Sequence, residues 1–274
     1  MAEPAEPGPA EPGAGSAPPG LAGAAVGAGA PPDAPARPAY YAARQGGWRD
    51  WWTLLHPPYT AWHLSYVVIG ACLAPRPELT PLLAALAAFF LAVGVAAHAL
   101  DELNGRPLRT AIPSGVLVTA AALALAGAVA IGIAGLIRVG WPLAPFLVAG
   151  PLLVIAYNAE LLHGVVHNDL GFAAAWGAFP VLTAYVGETG ALALAPVLAA
   201  AAALGLSAAQ RALSTPARTL RRRTESVSGQ LRLSGGQVQD LDRAALLRPL
   251  EHALRVLSWS VPALAAALAV ARLG

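Results

Sequence analysis

From residue 59 onward the chain alternates long apolar runs with short polar connections. Seven runs stand out, at 59–74, 81–100, 116–137, 142–159, 170–187, 190–209 and 254–272. None shows the every-second-residue alternation of a barrel strand. An apolar helix bonds all of its backbone groups internally, as a lipid environment requires. The pattern predicts an all-α polytopic membrane helix bundle of about seven transmembrane helices over residues 59–274. Several runs fall short of the ~20 residues of a typical span, which predicts little tilt and use of interfacial residues. Pro151, Pro180, Pro196 and Pro262 lie inside runs, where neighbouring helices can re-satisfy the carbonyls they free.

The flanking segments read differently. Residues 1–38 are Pro, Ala, Gly and acidic residues without periodicity, so the expectation is a disordered cytoplasmic tail. No basic stretch followed by an apolar core marks it as a signal peptide. Residues 39–58 mix Tyr40, Tyr41, Trp48, Trp51 and Trp52 with Arg44 and Arg49, the signature of an interfacial amphipathic segment, broken at His56-Pro57-Pro58. Residues 224–252 are expected as a cytoplasmic surface segment. There Ser234-Gly-Gly-Gln237 reads as a capping box opening a helix, with Val238, Leu241, Ala245, Leu246 and Ala253 as its apolar stripe.

Composition narrows the function classes. Hydrophobic residues make up 57% and charged residues 12% of the chain, against ~25% charged in soluble domains. Mean hydropathy is +0.57. The single cysteine, Cys72, excludes an internal disulfide or a cysteine cluster, and the absence of lysine excludes Schiff-base chemistry. A net charge of +2 gives no argument for nucleic acid. Abundant Ala, Gly, Pro and Arg suggest a GC-rich genome, and the expected location is a bacterial cell membrane. Arginines crowd one set of connections (Arg37, Arg44, Arg49; Arg106, Arg109; Arg211 to Arg223), while the other side holds Arg76, Arg138 and Arg272. The positive-inside rule then predicts a cytoplasmic N-terminus and an external C-terminus.

Candidate chemistry sits in the arginine-rich connections. After the second run, His98, Asp101 and Glu102 fall on one helix face at i, i+3 and i+4, followed by a loop carrying Asn104, Arg106 and Arg109 and broken by Gly105, Pro107, Pro113 and Gly115. Acidic groups beside a basic loop suit a metal-bound anion such as a diphosphate. After the fourth run come Tyr157, Asn158, Glu160, His163, His167 and Asp169, in which His163 and His167 have the spacing of a metal pair. Small residues and aromatics then alternate from Gly171 to Tyr185, a pattern fit to line a groove for an apolar chain. The run of arginines from Arg211 suits phosphate or anionic lipid.

The order of these features resembles the UbiA superfamily of intramembrane prenyltransferases, over roughly residues 50–225. Arg106-Pro107 and Ile112-Pro113-Ser114-Gly115 look like a split form of that family's Arg-Pro-Ile-x-x-Gly loop. His98-x-x-x-Glu102, with Asp101 inside it, stands where the family has Asn-x-x-x-Asp. Tyr157 and Trp176-Gly-Ala-Phe-Pro180 look like its later Tyr and its Gly/aromatic/Pro helix. Leu161 replaces the family's lysine, and Gln210–Arg223 lacks the second aspartate motif.

The resemblance implies a UbiA-like enzyme that ionises an allylic prenyl diphosphate with Mg²⁺. The prenyl group then passes to a lipid-soluble or aromatic acceptor, or cyclises, in a lipid-facing groove. Asp101, Glu102 and Tyr157 would be catalytic. Asp101, Glu102, Glu160 and Asp169 would hold the metal. His98, Asn104, Arg106, Arg109, Asn158, Arg211 and Trp176 would bind substrate. Two alternatives remain open on the residues alone. One is a noncatalytic lipid-binding or scaffold protein on the same fold; the other is a metalloenzyme built on His98, His163, His167 and Asp169.

Overall fold

The structure, a computed structural model, describes residues 38–274. The expected tail, 1–38, lies outside the described residues but for its last position. Six helices are long and apolar enough to cross a membrane: α3 (Leu79–Leu103), α4 (Ser114–Val139), α5 (Trp141–Asn158), α7 (Asp169–Thr189), α8 (Leu194–Arg222) and α9 (Arg243–Leu273). Two shorter helices, α1 (Trp48–Leu54) and α2 (Pro57–Cys72), precede them, and a single turn, α6 (Leu161–Gly164), follows α5.

The first apolar run thus folds as a helix of 16 residues. At 1.5 Å per residue it is ~24 Å long, short of a ~30 Å hydrocarbon core. It is enclosed by its neighbours: Trp62, His63, Tyr66, Val67 and Gly70 are buried where α2 packs on α7 and α9. A Cβ on Gly70 would stand 2.2 Å from the carbonyl oxygen of Val181, so the α2 and α7 backbones nearly touch. Gly177 does the same for α7 and α8, where a Cβ would lie 2.6 Å from the Ala203 oxygen. Small residues let membrane helices approach this closely and gain dispersion contacts.

Successive helices run up and down. At one end α4 and α7 stop at Gly140 and Gly190, both with positive φ. That end is tied by Arg138, which pairs with Glu78 at 3.1 Å and donates to the Gly187 oxygen at 3.0 Å, and by Arg272, which donates to the Ala74 oxygen at 2.8 Å. At the opposite end, called the mouth below, lie the connections 104–113, 159–168 and 223–242, together with residues 38–56.

Two expectations are corrected at the mouth. The helix of the sixth run does not end near residue 209: α8 continues through Arg211 and Pro216 to Arg222, 29 residues in one helix. Arginine is a good helix former, and the helix accommodates Pro216, which removes one backbone donor, without ending there. The Ser234–Gln237 capping box is absent. An antiparallel hairpin of β1 (Gly229–Arg232) and β2 (Val238–Leu241) occupies this segment. The Leu233 amide donates to the Gln237 oxygen at 2.9 Å, and Gly236 takes a φ of 79°, which suits a glycine-containing hairpin loop. The last helix starts later, at Arg243, with Asp242 as its cap accepting from the Ala245 amide at 2.6 Å.

Candidate functional site

Five non-glycine residues among those described adopt the left-handed backbone region: His56, Arg106, Arg109, Glu160 and His163. All belong to mouth segments. Such conformations cost roughly 1–2 kcal/mol each for ordinary side chains. Clustered strain of this kind points to a functional region.

The mouth is built on α3, α5, α7 and α8. Arg211, Arg218 and Arg222 stand at i, i+7 and i+11 on α8, within about 20° of one line along the helix. Arg211 donates from Nε to Asp169 at 2.8 Å and lies over the Phe172 ring at 5.4 Å. Arg222 donates to the Pro38 oxygen at 3.0 Å. Arg218 is half-buried; it donates to the Thr215 hydroxyl of its own helix at 3.3 Å, and it forms no ion pair among the described residues. Asp101 on α3 has Arg218, Arg222 and His167 as its principal electrostatic neighbours, without an ion pair to any of them.

Tyr157, at the end of α5, joins this polar mouth to the apolar interior. Its ring lies 4.8 Å from Trp176, 6.1 Å from Phe172 and 4.5 Å from His167, whose Nδ1 donates to the Tyr157 carbonyl at 2.9 Å. The Tyr157 residue is 6% exposed, yet its hydroxyl is buried without a hydrogen-bond partner among the described residues. Arg211, Arg218, Asp101 and Asp169 are the charges that act on it. A buried hydroxyl without a partner costs free energy, which a polar ligand would recover.

Behind Trp176 an apolar groove of about 470 Å³ runs between α3, α4, α5 and α7 toward the Arg138 end. Phe89, Leu147, Val154, Trp176 and Phe179 are among its walls. Its volume lies in the usual range of small-molecule sites, roughly 300–1,000 Å³. Both α3 and α7 widen into π-helical turns beside it, at Phe90–Ala97 and Ala174–Ala178. These turns re-aim Trp176 and the residues leading to His98; π turns are frequent at functional sites.

Over the mouth lies the 38–56 segment. The Tyr41 hydroxyl is 2.8 Å from Nδ1 of His56, and the His56 ring stacks on His98 at 4.3 Å. Burial, reinforced by His98, Arg222 and Arg218, pushes the His56 imidazole well below its ordinary pKa of 6.5. Asp50 accepts from the Ala111 amide at 3.2 Å, and Gln45 donates to the Arg109 oxygen at 2.6 Å, so this segment grips the 104–113 loop.

The structure therefore sorts the expected site residues. It brings Asp101, Tyr157, Trp176 and Arg211 together, with His98 nearby through its stack on His56. Glu102 is 0% exposed and faces the loop instead: Oε1 accepts from the Thr110 amide and hydroxyl at 2.8 and 2.9 Å, and Oε2 from the Leu108 amide at 2.9 Å. The Arg106 guanidinium donates to the Ile112 oxygen and the Ser114 hydroxyl, both at 2.6 Å. Asn158 donates to the Val154 oxygen at 2.7 Å, while Asn104, Arg109 and Glu160 are exposed.

The predicted helical face of Glu160, His163 and His167 does not form. The helix ends at Asn158, and left-handed residues at 160, 163 and 164 turn the chain, which separates His163 from His167 in orientation. Among the described residues no three His, Cys, Asp or Glu side chains gather as a metal site. Of the residues expected to hold Mg²⁺, Glu102 is taken by the 108–110 loop, Asp169 pairs with Arg211 and Glu160 is exposed.

The arginine run suits phosphate or anionic lipid by sequence, but nothing local singles out Arg218 and Arg222 within it. Their spacing from Arg211 was the available signal, and it becomes visible once the helix is extended past residue 209. Comparison with protein-family models, curated proteins and solved structures found no match for this chain.

Proposed function

We propose that the protein binds a prenyl diphosphate within the membrane and acts as a prenyltransferase on a lipid-soluble or aromatic acceptor. The observation that carries this reading is the Tyr157–Trp176 contact. It joins an apolar groove to a cluster of arginines around a buried, unpartnered hydroxyl. An amphiphile with a long apolar chain and a multiply charged head matches both halves. The chain fills the groove between α3, α4, α5 and α7. The head meets Arg211, Arg218 and Arg222, with the Tyr157 hydroxyl donating to it.

In that transfer the allylic carbon–oxygen bond breaks and the diphosphate leaves with the electron pair. The acceptor's carbon or oxygen attacks the allylic cation and releases a proton. Arginines near the leaving group stabilise the charge that develops on it. The aromatic wall of Trp176 and Phe172 faces the cation and keeps water away. The seventh crossing in this reading is α2, shielded by α7 and α9, and the arginine-rich mouth lies on the cytoplasmic side with the C-terminus outside.

The test is titration of the purified full chain in nanodiscs with allylic diphosphates of several chain lengths, followed by assay for released pyrophosphate with an aromatic acceptor. Saturable binding that needs both chain and diphosphate, with pyrophosphate release, supports the reading. A flat titration across all chain lengths sinks it. Binding without release favours a noncatalytic lipid-binding protein, a reading that the scattered carboxylates favour.

A further inference from the structure

We infer that the head-group site at the mouth is an arginine site that works without a divalent metal. The inference rests on the reading of the groove and mouth as an amphiphile site and specifies its chemistry. A diphosphate carries several negative charges, and a membrane-embedded site must neutralise them with cations on fixed supports. Two sources of cations exist in principle: a metal held by carboxylates, or the protein's own guanidiniums.

The carboxylates of the mouth are engaged elsewhere or scattered. Both Glu102 oxygens accept hydrogen bonds from the 108–110 backbone and the Thr110 hydroxyl, in a fully buried position. Asp169 pairs with Arg211. Glu160 is exposed, beyond the end of α5. Asp50 accepts from the Gly46 and Ala111 amides, and Glu251 pairs with Arg221. Asp101 is left, and its main electrostatic neighbours are Arg218 and Arg222, which repel a dication.

The cations, by contrast, are fixed and aligned. Arg218 forms no ion pair among the described residues and Arg222 is held by a neutral carbonyl, while Arg211, on the same helix face, is shared with the exposed Asp169. Guanidinium forks bind phosphate oxygens in pairs, with geometry and charge together. The unpartnered Tyr157 hydroxyl adds a neutral donor from the opposite helix. Asp101 balances part of this charge and opposes an incoming anion.

This arrangement and a metal site predict opposite outcomes for one substitution. In an arginine site, Asp101→Asn removes a repelling charge and leaves diphosphate affinity unchanged or tighter. In a metal site, the same change removes a ligand and weakens binding about a hundredfold or more. The experiment is calorimetric titration of the full chain in nanodiscs with geranylgeranyl diphosphate and, separately, with inorganic pyrophosphate, in Mg²⁺ and in excess EDTA. Parent protein, Asp101→Asn, Arg218→Gln, Arg222→Gln and the hairpin control Arg232→Gln are compared, each first checked for an unchanged thermal transition.

The expected result is an affinity that changes less than about threefold between Mg²⁺ and EDTA, that Asp101→Asn does not weaken, and that Arg218→Gln or Arg222→Gln weakens about tenfold or more. Should either glutamine variant unfold, the EDTA comparison on the parent and the Asp101→Asn result decide alone. Binding that vanishes in EDTA, or that falls with Asp101→Asn, overturns the arginine site while leaving the prenyl diphosphate reading in place. Undiminished binding in both glutamine variants does the same. No binding of either ligand under any condition overturns both.

Discussion

Glu102 and Thr110 are joined twice, the buried carboxylate oxygen Oε1 accepting from both the amide and the hydroxyl of the threonine. With the Leu108 amide on Oε2, Glu102 folds the 104–113 loop back on its own helix end. This carboxylate organises the loop. Glu102→Gln replaces one acceptor oxygen by an amide donor that faces a backbone N–H. The expected loss is about 2–3 kcal/mol of stability, read as a lower melting temperature in detergent and faster proteolysis at Arg106 or Arg109. An unchanged melting temperature would mean that the loop stands without this carboxylate.

The close approach of α2 to α7 and of α7 to α8 makes specific glycines irreplaceable. Gly70→Ala sets a methyl 2.2 Å from the Val181 oxygen, and Gly177→Ala sets one 2.6 Å from the Ala203 oxygen and 2.7 Å from the Ser207 hydroxyl. Each is expected to destabilise by about 1–3 kcal/mol through overpacking. Gly205 on α8 has open space around its missing side chain, so Gly205→Ala is expected to be neutral or slightly stabilising. Thermal melts of the three variants compare these positions directly.

The groove makes a prediction about chain length. Ala92, Ala128 and Trp176 line it, and a phenylalanine at Ala92 or Ala128 would occupy part of its volume. Affinity for a long-chain prenyl diphosphate is expected to fall about tenfold, with a smaller change for a short chain that leaves the far part of the groove empty. An equal loss for all chain lengths would locate the chain outside the groove.

Burial of His56 makes stability depend on pH. Its folded pKa lies well below 6.5, because burial and the neighbouring cations disfavour the imidazolium. Below the unfolded value the unfolded chain takes up a proton that the folded chain refuses. Stability is therefore expected to be flat above pH about 6.5 and to fall with acidification below it, until the folded pKa is reached, at most about 1.4 kcal/mol per pH unit for this one group. His56→Asn tolerates the left-handed backbone and keeps an acceptor for Tyr41. It should flatten the slope between pH 6.5 and 5. An identical slope in parent and variant would move the effect to another group.

Much of the architecture was legible in local pattern. Six of the seven apolar runs correspond to helices fit to cross a membrane, because an unbroken apolar stretch leaves a backbone in lipid few alternatives. The first run was read correctly as a helix, but its length and its enclosure by α7 and α9 follow from the Gly70 contact, which joins residues 111 positions apart and leaves no local periodicity. The hairpin at 229–241 and the unbroken α8 also went unread, since two glycines and a row of arginines are locally compatible with more than one outcome.

For the site, sequence alone determined that charge would gather at one end of the bundle, around residues 98–113, 157–169 and beyond 210. It could not determine which charges remain free. His98, Asp101 and Glu102 share one helix face, yet they stack on an imidazole, face arginines and bind a loop, respectively. Helical spacing says which side chains are neighbours on their own helix. The partner that solvates a buried charge comes from a different helix or loop, and only the packing of α3, α5, α7 and α8 brings Arg218, Tyr157 and Trp176 to one place.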